Sequence, residues 1–484
     1  MSISGSLSSA LSGLTVAARA AEVVSSNIAN AMTEGYGRRE LQTSSRSVGS
    51  SGQGVRVTGV LRQGDPVLLG DRRMAEAESG GSNATAAFLK RLERVLGTPD
   101  TATSLGSRIA DFDTALIEAS SRPESEARLS RVAETAKAVV RHLSTTSDDI
   151  QAARSAADDQ IQSEVARINT ALTRVAELNS QIRANAGSGR DASALVDQRQ
   201  QVIDGIASIV PLREVPRGHG QVALFSSGGA ILLDGAPTEL GFTPVGIIVP
   251  GMTQGSGALS GLTINGKAVT AGQGGAMSGG SLSGHFAVRD ELGPQAQARL
   301  DALARDLTER FAGSTLDTTR APGAAGLFTD AGSAFLPAGE IGLSQRLRLN
   351  AAADPVQGGD LWRLRDGLGA TAPGAAGDSR LLKGMQAALV DQRSPVSGGF
   401  MAGNRSLSTL AADMLSGVAS ARLTAEGEAS YASARMDTLR QMELEGGVDT
   451  DQEMQSLLLI EQAYAANAKV VSAVGDMIQR LLEM

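Results

Sequence analysis

The hydrophobic pattern is sharpest at the two ends of the chain. Between positions 3 and 28, apolar residues recur at alternating steps of four and three: Ile3, Leu7, Ala10, Leu14, Ala17, Ala21, Val24 and Ile28. The same rhythm returns at Leu457, Ile460, Tyr464, Asn467, Val471, Val474, Ile478 and Leu481. Such spacing lines one narrow stripe along a helix, the pattern of a coiled-coil seam. An isolated helix with so narrow a stripe is marginal in water, so each end is expected to find a partner. The simplest partner is the other end, or the ends of neighbouring copies. Asn467 inside the second stripe can fix register at some cost in stability. Burial along the seams and the entropy of ordering both segments are of comparable size. That balance predicts ends disordered in the free monomer and folded in an assembly.

Between the seams the pattern changes several times. Residues 40–84 are polar and Gly-rich, with short alternating pieces such as Val55-Arg56-Val57, and predict a hairpin or extended linker. Helical spacing follows over 85–118 through Phe88, Leu89, Leu92, Val95 and Leu96. After Pro123, heptad spacing at Ile161, Val165, Ile168, Leu172, Val175 and Ile182 predicts a helix to about Ala186, where Gly187-Ser188-Gly189 breaks it. Unbroken over 124–186, it would be roughly 90 Å long, and a break near 144–148 would still leave a rod. A second helix is expected at about 191–208. From Pro211, short strand-like runs alternate with Gly-rich turns: 221–225, 230–233 and 262–264. An amphipathic helix returns at about 291–312 through Leu300, Leu303, Leu307 and Phe311. Residues 313–400 are Gly- and Pro-rich, and 405–445 again helical.

The expected fold is mainly α with a β-rich insertion, elongated and multidomain, with the terminal helices paired as a coiled coil. Its domains are 1–50 plus 446–484 as a terminal inner unit and 51–84 as a linker or hairpin. A helical shaft takes 85–210, 285–312 and 405–445, and a β-rich outer region takes 211–284 and 313–404.

Composition narrows the function. The chain has no cysteine, hence no disulfide framework and no Cys-based metal centre. The first basic residue is Arg19, and Ser and Gly interrupt any apolar core near the start, so no secretory leader is expected. Apolar runs are short, and no membrane insertion is expected. A net charge of −8 argues against a broad nucleic-acid surface. Aromatics make up 3% of residues, which suits helices packed through Ala, Leu, Val and Ile.

The tempting chemistry reads as structure. Gly261-Leu262-Thr263-Ile264-Asn265-Gly266-Lys267 matches a phosphate-binding loop as far as its lysine, but Ala268 replaces the Ser or Thr that would hold magnesium. Asn265-Gly266 between alternating flanks predicts a two-residue hairpin turn instead. Ala276-Met277-Ser278-Gly279-Gly280 only superficially resembles a nucleophile elbow and reads as a flexible loop. His142, His219 and His285 are scattered without metal-ligand spacing; His142 is expected on a helix surface and His219 in a turn. Asp148-Asp149 and Asp158-Asp159 are expected on a solvated helix face. Tyr36 and Tyr464 could equally pack inside the chain or anchor subunit contacts. No catalytic residue, cofactor or metal ligand is assigned. A nucleotide-binding module built on 261–268 is the alternative from a different class.

Residues 25–39, Ser-Ser-Asn-Ile-Ala-Asn-Ala-Met-Thr-Glu-Gly-Tyr-Gly-Arg-Arg, follow Ser12-Gly13-Leu14. Together they resemble the N-terminal motif of bacterial flagellar axial proteins (rod, hook and hook-associated), usually written SGL…NNIANANTPGY. Residues 447–471, from Gly447-Val448-Asp449 through Glu453-Met454 to Val471, resemble the matching C-terminal motif. Met32 replaces the usual Asn and Glu34 the usual Pro, so the bend at 33–36 relies on Gly35 and Gly37. In the middle, Asp111-Phe112-Asp113-Thr114-Ala115-Leu116, the segment Ala194–Asp204 with Asp197-Gln198-Arg199, and Leu282–Asp290 resemble the hook-associated branch of that family. Where family members often carry a His and a Gly-Asp-rich loop, Ala312–Phe328 has no His.

The resemblance implies a structural, non-enzymatic component of the hook–filament junction, with a rod or hook protein as the alternative. It implies export through the flagellar type III channel to the cell exterior. It also implies self-association in a ring, contact with hook protein and with the second junction protein, FlgL, and a cytoplasmic export chaperone on the C-terminal seam. Assembly is assigned to Ile3, Leu7, Leu14, Val24, Ile28, Asn27, Asn30, Gly35 and Tyr36 at one end. At the other end it is assigned to Leu457, Ile460, Tyr464, Asn467, Val471, Val474, Ile478 and Leu481.

Overall fold

The N-terminal seam becomes helix α1 (Ile3–Ala29), followed by a long antiparallel hairpin of β1 (Arg39–Val48) and β2 (Ser51–Arg62). This computed structural model describes residues 3–33, 35–48, 51–188, 190–272 and 274–483. Glu34, in the expected bend, and Gly189, in the expected helix break, lie outside them. The hairpin matches the sequence expectation, but the linker stops early. Helix α2 runs Pro66–Leu96, so 66–84 is not extended chain. Asp65 caps it by accepting from the N–H groups of Val67 (2.8 Å) and Leu68 (3.1 Å), and Pro66 opens the first turn. The glycines that suggested a linker serve a close helix crossing. A Cβ on Gly80 would lie 2.4 Å from the Ser208 carbonyl oxygen, and one on Gly81 2.9 Å from that of Gly280. Packing against those backbones overrides the low helix propensity of the pair.

The helical stretch expected over 85–118 is divided. Gly97, at φ +77°, ends α2, and Ser104 caps α3 (Leu105–Ser121) through the N–H of Ser107. Helix α4 (Glu126–Gly187) is unbroken over 62 residues, about 93 Å at 1.5 Å each, with no interruption at 144–148. All six of its heptad residues named above are buried. Its two halves serve different cores. Leu129–Ala157 packs with residues of α2 and α3 and of later helices, whereas Ile161–Val175 packs with residues 202–286. Helix α5 (Ser193–Asp204) lies beside it.

The β-rich insertion rests on the second half of α4. Strands β3 (Leu212–Pro216), β4 (Val222–Ser226), β5 (Ile231–Asp234) and β6 (Ala236–Pro237) form an antiparallel meander. Strands β7 (Leu240–Gly241), β8 (Leu262–Ile264) and β9 (Lys267–Val269) form a second small sheet. Asn265 and Gly266 join β8 to β9 with φ of 49° and 76°, the geometry of the expected hairpin turn. Met277, in the expected flexible loop, is fully buried, and the Ala276 carbonyl accepts from Ser226 Oγ at 2.5 Å.

The next helix begins earlier than its periodicity suggested. Helix α6 (Gly280–Ala287) continues through a π-turn at Val288–Leu292 into α7 (Gly293–Phe311). Arg289, on that turn, is fully buried and donates to Asp158 at 2.6 Å, so Asp158 faces the interior and not solvent. Asp158 also accepts from the Val245 N–H (2.7 Å). Arg154, equally buried, donates to the carbonyls of Arg289 (2.8 Å) and Met252 (2.6 Å). The loop of the insertion is thus clamped to the shaft by two buried guanidinium groups.

Region 313–404 departs from the β-rich expectation. Among its described residues the strands are β10 (Phe328–Asp330) and β11 (Leu347–Leu349), paired with each other. Around them lie α8 (Leu343–Arg346), α9 (Arg363–Asp366) and α10 (Arg380–Val390). Its apolar residues enter the first core singly, as Phe328 does against Phe112 and Phe311 with centroids 6.0 and 5.2 Å away. Single anchors leave no period to read. Helix α11 (Leu407–Glu445) runs back antiparallel to α2, with Arg422–Glu93 (2.5 Å), Arg435–Glu78 (3.2 Å) and Arg72–Glu443 (2.6 Å) in order along the pair. Helix α12 (Thr450–Leu482) follows.

Candidate functional site: a polar junction at the base of the terminal helices

Helices α1 and α12 pack antiparallel, as Asn27 meets Glu453 while Gly13 meets Asn467 at the same offset. The seam residues Ala10, Ala17 and Val24 of α1 and Val474 of α12 are buried. Leu7, Leu14, Ile28, Leu457, Ile460, Asn467 and Val471 are half-buried, while Ile3, Tyr464, Ile478 and Leu481 stay exposed. A Cβ on Gly13 would come 2.7 Å from Asn467 Nδ2, so Gly13 makes room for the one polar seam residue. Asn467 Nδ2 donates to the Ala463 carbonyl at 2.9 Å, within its own helix.

At the other end of the pair the contacts turn polar. Asn27 is fully buried and uses both ends of its amide. Nδ2 donates to the Arg39 carbonyl (2.9 Å) and to Glu453 Oε2 (3.1 Å). Oδ1 accepts from the Arg39 N–H (3.0 Å) and the Tyr36 hydroxyl (2.9 Å). Glu453 is 1% exposed, and Arg38 Nε neutralises it at 2.7 Å. The Arg39 guanidinium lies over the Tyr36 ring, 4.9 Å from its centroid. The Asn27 amide and the Glu453 carboxylate both find partners here, which favours this arrangement over one that strands a donor or a charge. Asn30 Nδ2 caps the end of α1 by donating to the Ser26 carbonyl at 2.9 Å.

The same turn meets the shaft. Asp197 of α5 accepts from the Gly37 N–H (3.2 Å), from Arg62 Nε (2.7 Å) and from Arg39 Nη2 (2.9 Å). Gly35, at φ +79°, packs where a Cβ would sit 2.7 Å from the Gln201 side chain. That contact and the left-handed backbone explain why glycine stands there. Arg62 occupies the space a Cβ on Gly37 would need. At the hairpin's far part, Ser12 Oγ accepts from the Val55 N–H at 3.1 Å. Deeper in the shaft, Arg73 joins Asp204 (2.7 Å), Glu214 (2.9 Å) and Gln200 (2.5 Å). Arg72 beside it reaches Asp204, Glu443 and Glu76. Burial works against the Arg72 cation, but those carboxylates outweigh it and raise its pKa.

Sequence reasoning assigned Asn27, Asn30, Gly35 and Tyr36 to subunit assembly; in the structure they share a junction with Arg38, Arg39, Arg62, Asp197, Gln201 and Glu453 of their own chain, none of which it had named as a site residue. One signal was available: Glu453 stands four positions before Leu457, so it continues the C-terminal seam with a charge. Tyr36 is engaged inside the chain, whereas Tyr464, although on the seam stripe, stays exposed. His142, expected on a helix surface, is half-buried. Its Nε2 is unpartnered, and desolvation, with Arg108 nearby, lowers its pKa. Among the described residues no three His, Asp or Glu side chains cluster to hold a metal. Nor is any helix among them long and apolar enough to cross a membrane.

Three family models match the chain in the order of its elements. Residues 7–36 match the flagella basal body rod protein family, and 445–484 the C-terminal segment of flagellar basal body rod FlgEFG proteins. Residues 89–324 match the helical domain of flagellar hook-associated protein FlgK. The two rod-type segments thus close on each other beside a shaft that matches a flagellar helical domain. Over that middle segment, just under half of its length, the chain is similar to the FlgK family of flagellar hook-associated proteins. It is similar to flagellar hook-associated protein 1 of Salmonella typhimurium, 29% identical over 241 residues, or 48% of this chain and 43% of that one. The same protein of Escherichia coli K12 is 27% identical (48% and 44% covered), and that of Bacillus subtilis 26% (47% and 47%). The chain thus spans about half the length of the curated relatives it matches. The solved hook junction protein FlgK of Burkholderia pseudomallei is similar at 21% identity and TM-score 0.42, over 54% of this chain and 46% of that one.

Proposed function

We propose that the chain is a structural element of the hook–filament junction. The observation that carries this reading is the closure of α1 on α12 with an apolar face left over. Leu458, Leu459, Val470 and Met477 of α12 are exposed, off the stripe that meets α1. A two-sided apolar helix asks for further helices. On this reading the terminal pairs of several copies close into a ring around the export channel, and the shaft packs on its neighbours. The insertion on the second half of α4 would face outward. One side of the ring would seat on hook protein and the other would receive FlgL. The chain would leave the cell through the type III channel, with a chaperone covering the α12 stripe beforehand. No step in this role makes or breaks a covalent bond.

The test is electron microscopy of the native host lacking this gene. Hooks without filaments, with flagellin lost to the medium, are expected. Absent hooks would place the chain in the rod or hook, and intact filamented flagella would refute an axial role. Leu457→Asp combined with Val471→Asp should abolish both assembly and chaperone binding. Retained chaperone binding would put that contact elsewhere.

A further inference from the structure

Among the described residues the terminal pair and the shaft share no apolar core. Neither core contains a residue of α1, of the hairpin or of α12. The covalent connections do not fix an angle either, since Gln63-Gly64-Asp65 and Gly446-Gly447-Val448-Asp449 both carry glycine. The units meet where β2 approaches α5 and Gly35 packs on Gln201, and at that meeting stands the carboxylate of Asp197. Its three donors come from the turn, from the start of β1 and from the end of β2: Gly37 N–H, Arg39 Nη2 and Arg62 Nε. All three therefore move together or not at all. Asp197 is 7% exposed, so water screens these bonds little.

We propose that Asp197 is a positioning residue that sets the angle of the terminal helix pair on the shaft. Glu453 and Asn27 hold the pair to the hairpin, and Asp197 holds the hairpin to α5. Removing the carboxylate should leave both units folded and free their relative orientation. The inference rests on the junction reading only for its consequence, that a fixed angle decides how neighbouring terminal pairs meet in a ring. The measurement is made on the isolated chain, so it stands or falls independently of any role in flagella.

The chain has no cysteine, which permits clean paired spin labelling. Gln181→Cys on α4 and Gln462→Cys on α12 report the angle, both positions being exposed. Gln181→Cys with Arg141→Cys, also exposed and about 60 Å away along the same helix, reports shaft integrity. Pulsed electron–electron distance measurement should give a narrow peak for both pairs in the otherwise unsubstituted chain. In Asp197→Asn the first pair should lose its narrow peak while the control pair and the helical circular dichroism stay unchanged. Asp197→Glu should restore the peak. A peak equally narrow in Asp197→Asn, one already broad in the unsubstituted chain, or a control pair that broadens with it would each overturn the proposal.

Discussion

Asn27 and Glu453 stand 426 positions apart in the sequence and share a buried hydrogen bond of 3.1 Å. The first belongs to the most recognisable stretch of the chain and the second to a helix that begins in its last tenth. Their contact makes the N-terminal motif legible as chemistry. The asparagine is there to satisfy a buried carboxylate on one side and the backbone of Arg39 on the other. Neither function can be taken over by an apolar residue of the same size.

Asn27→Ala removes the partner of the Arg39 N–H and one of the two partners of Glu453 at once. Groups left unsatisfied in a buried place cost about 1–3 kcal/mol each, so a loss of roughly 2–4 kcal/mol is expected at the junction. Native-state hydrogen exchange at the Arg39 amide reads it directly. Exchange as slow as in the unsubstituted chain would show that the network tolerates the gap.

Gly13→Val should wedge the terminal helices apart, since the new Cβ falls 2.7 Å from Asn467. Asn467→Ala should remove most of that penalty. A double-mutant cycle on thermal unfolding of the pair should show coupling of about 1 kcal/mol or more. Additive effects would mean that the two positions do not touch.

Arg289→Met leaves Asp158 buried without its counter-charge, and a loss of about 3–5 kcal/mol is expected. Combining it with Asp158→Leu should recover much of the loss. Urea unfolding followed through Phe286, or through tryptophan introduced in its place, checks both. Equal stability of the single and double variants would show that the loop, and not the ion pair, carries the contact.

His142 sets a dependence on pH. Its pKa lies below the ordinary 6.5, chiefly through desolvation and then Arg108, although a hydrogen bond to the Leu96 backbone pulls the other way. The unfolded chain therefore takes up the proton first as pH falls. The stabilisation tied to the neutral ring is complete above about pH 6.5 and is lost progressively below it, down to the lowered native value. Replacing it by glutamine should flatten that part of the stability profile relative to the unsubstituted chain. An unchanged slope between pH 7 and 5 would assign the titration to another group.

The seams themselves are expected to be protected unevenly in the free monomer. Amide exchange should be slowest near Asn27 and Glu453, where the polar network anchors both helices, and fastest toward the open ends of the pair. Uniformly strong protection over 3–29 and 455–482 would contradict the marginal balance inferred from burial and entropy.

Periodicity made the long helices legible. The heptad of α4 read correctly because one repeated spacing reports one buried face, whereas the terminal stripes marked helices α1 and α12 but left Ile3, Tyr464, Ile478 and Leu481 exposed. Helix α2 was obscured because Gly80 and Gly81 serve contacts to Ser208 and Gly280, which are distant in sequence. Region 313–404 was misread because residues such as Phe328 and Leu382 enter the core one at a time. Asp158 looked solvated beside Asp159 because nothing local announces Arg289 as its partner. The junction was half legible: its N-terminal motif lies in one stretch, whereas Asp197 and Glu453 reach it from two other places.

The antiparallel pairing of α1 with α12, and of α2 with α11, also sets an order in time. A chain emerging from a ribosome presents α1 and α2 long before the segments that cover them exist. The β1–β2 hairpin and the adjacent helices α3 and α4 can associate from neighbouring sequence, but the contacts of highest contact order must come last. Until then the base of the molecule is unclosed, so the delay before it can engage anything is written into its topology.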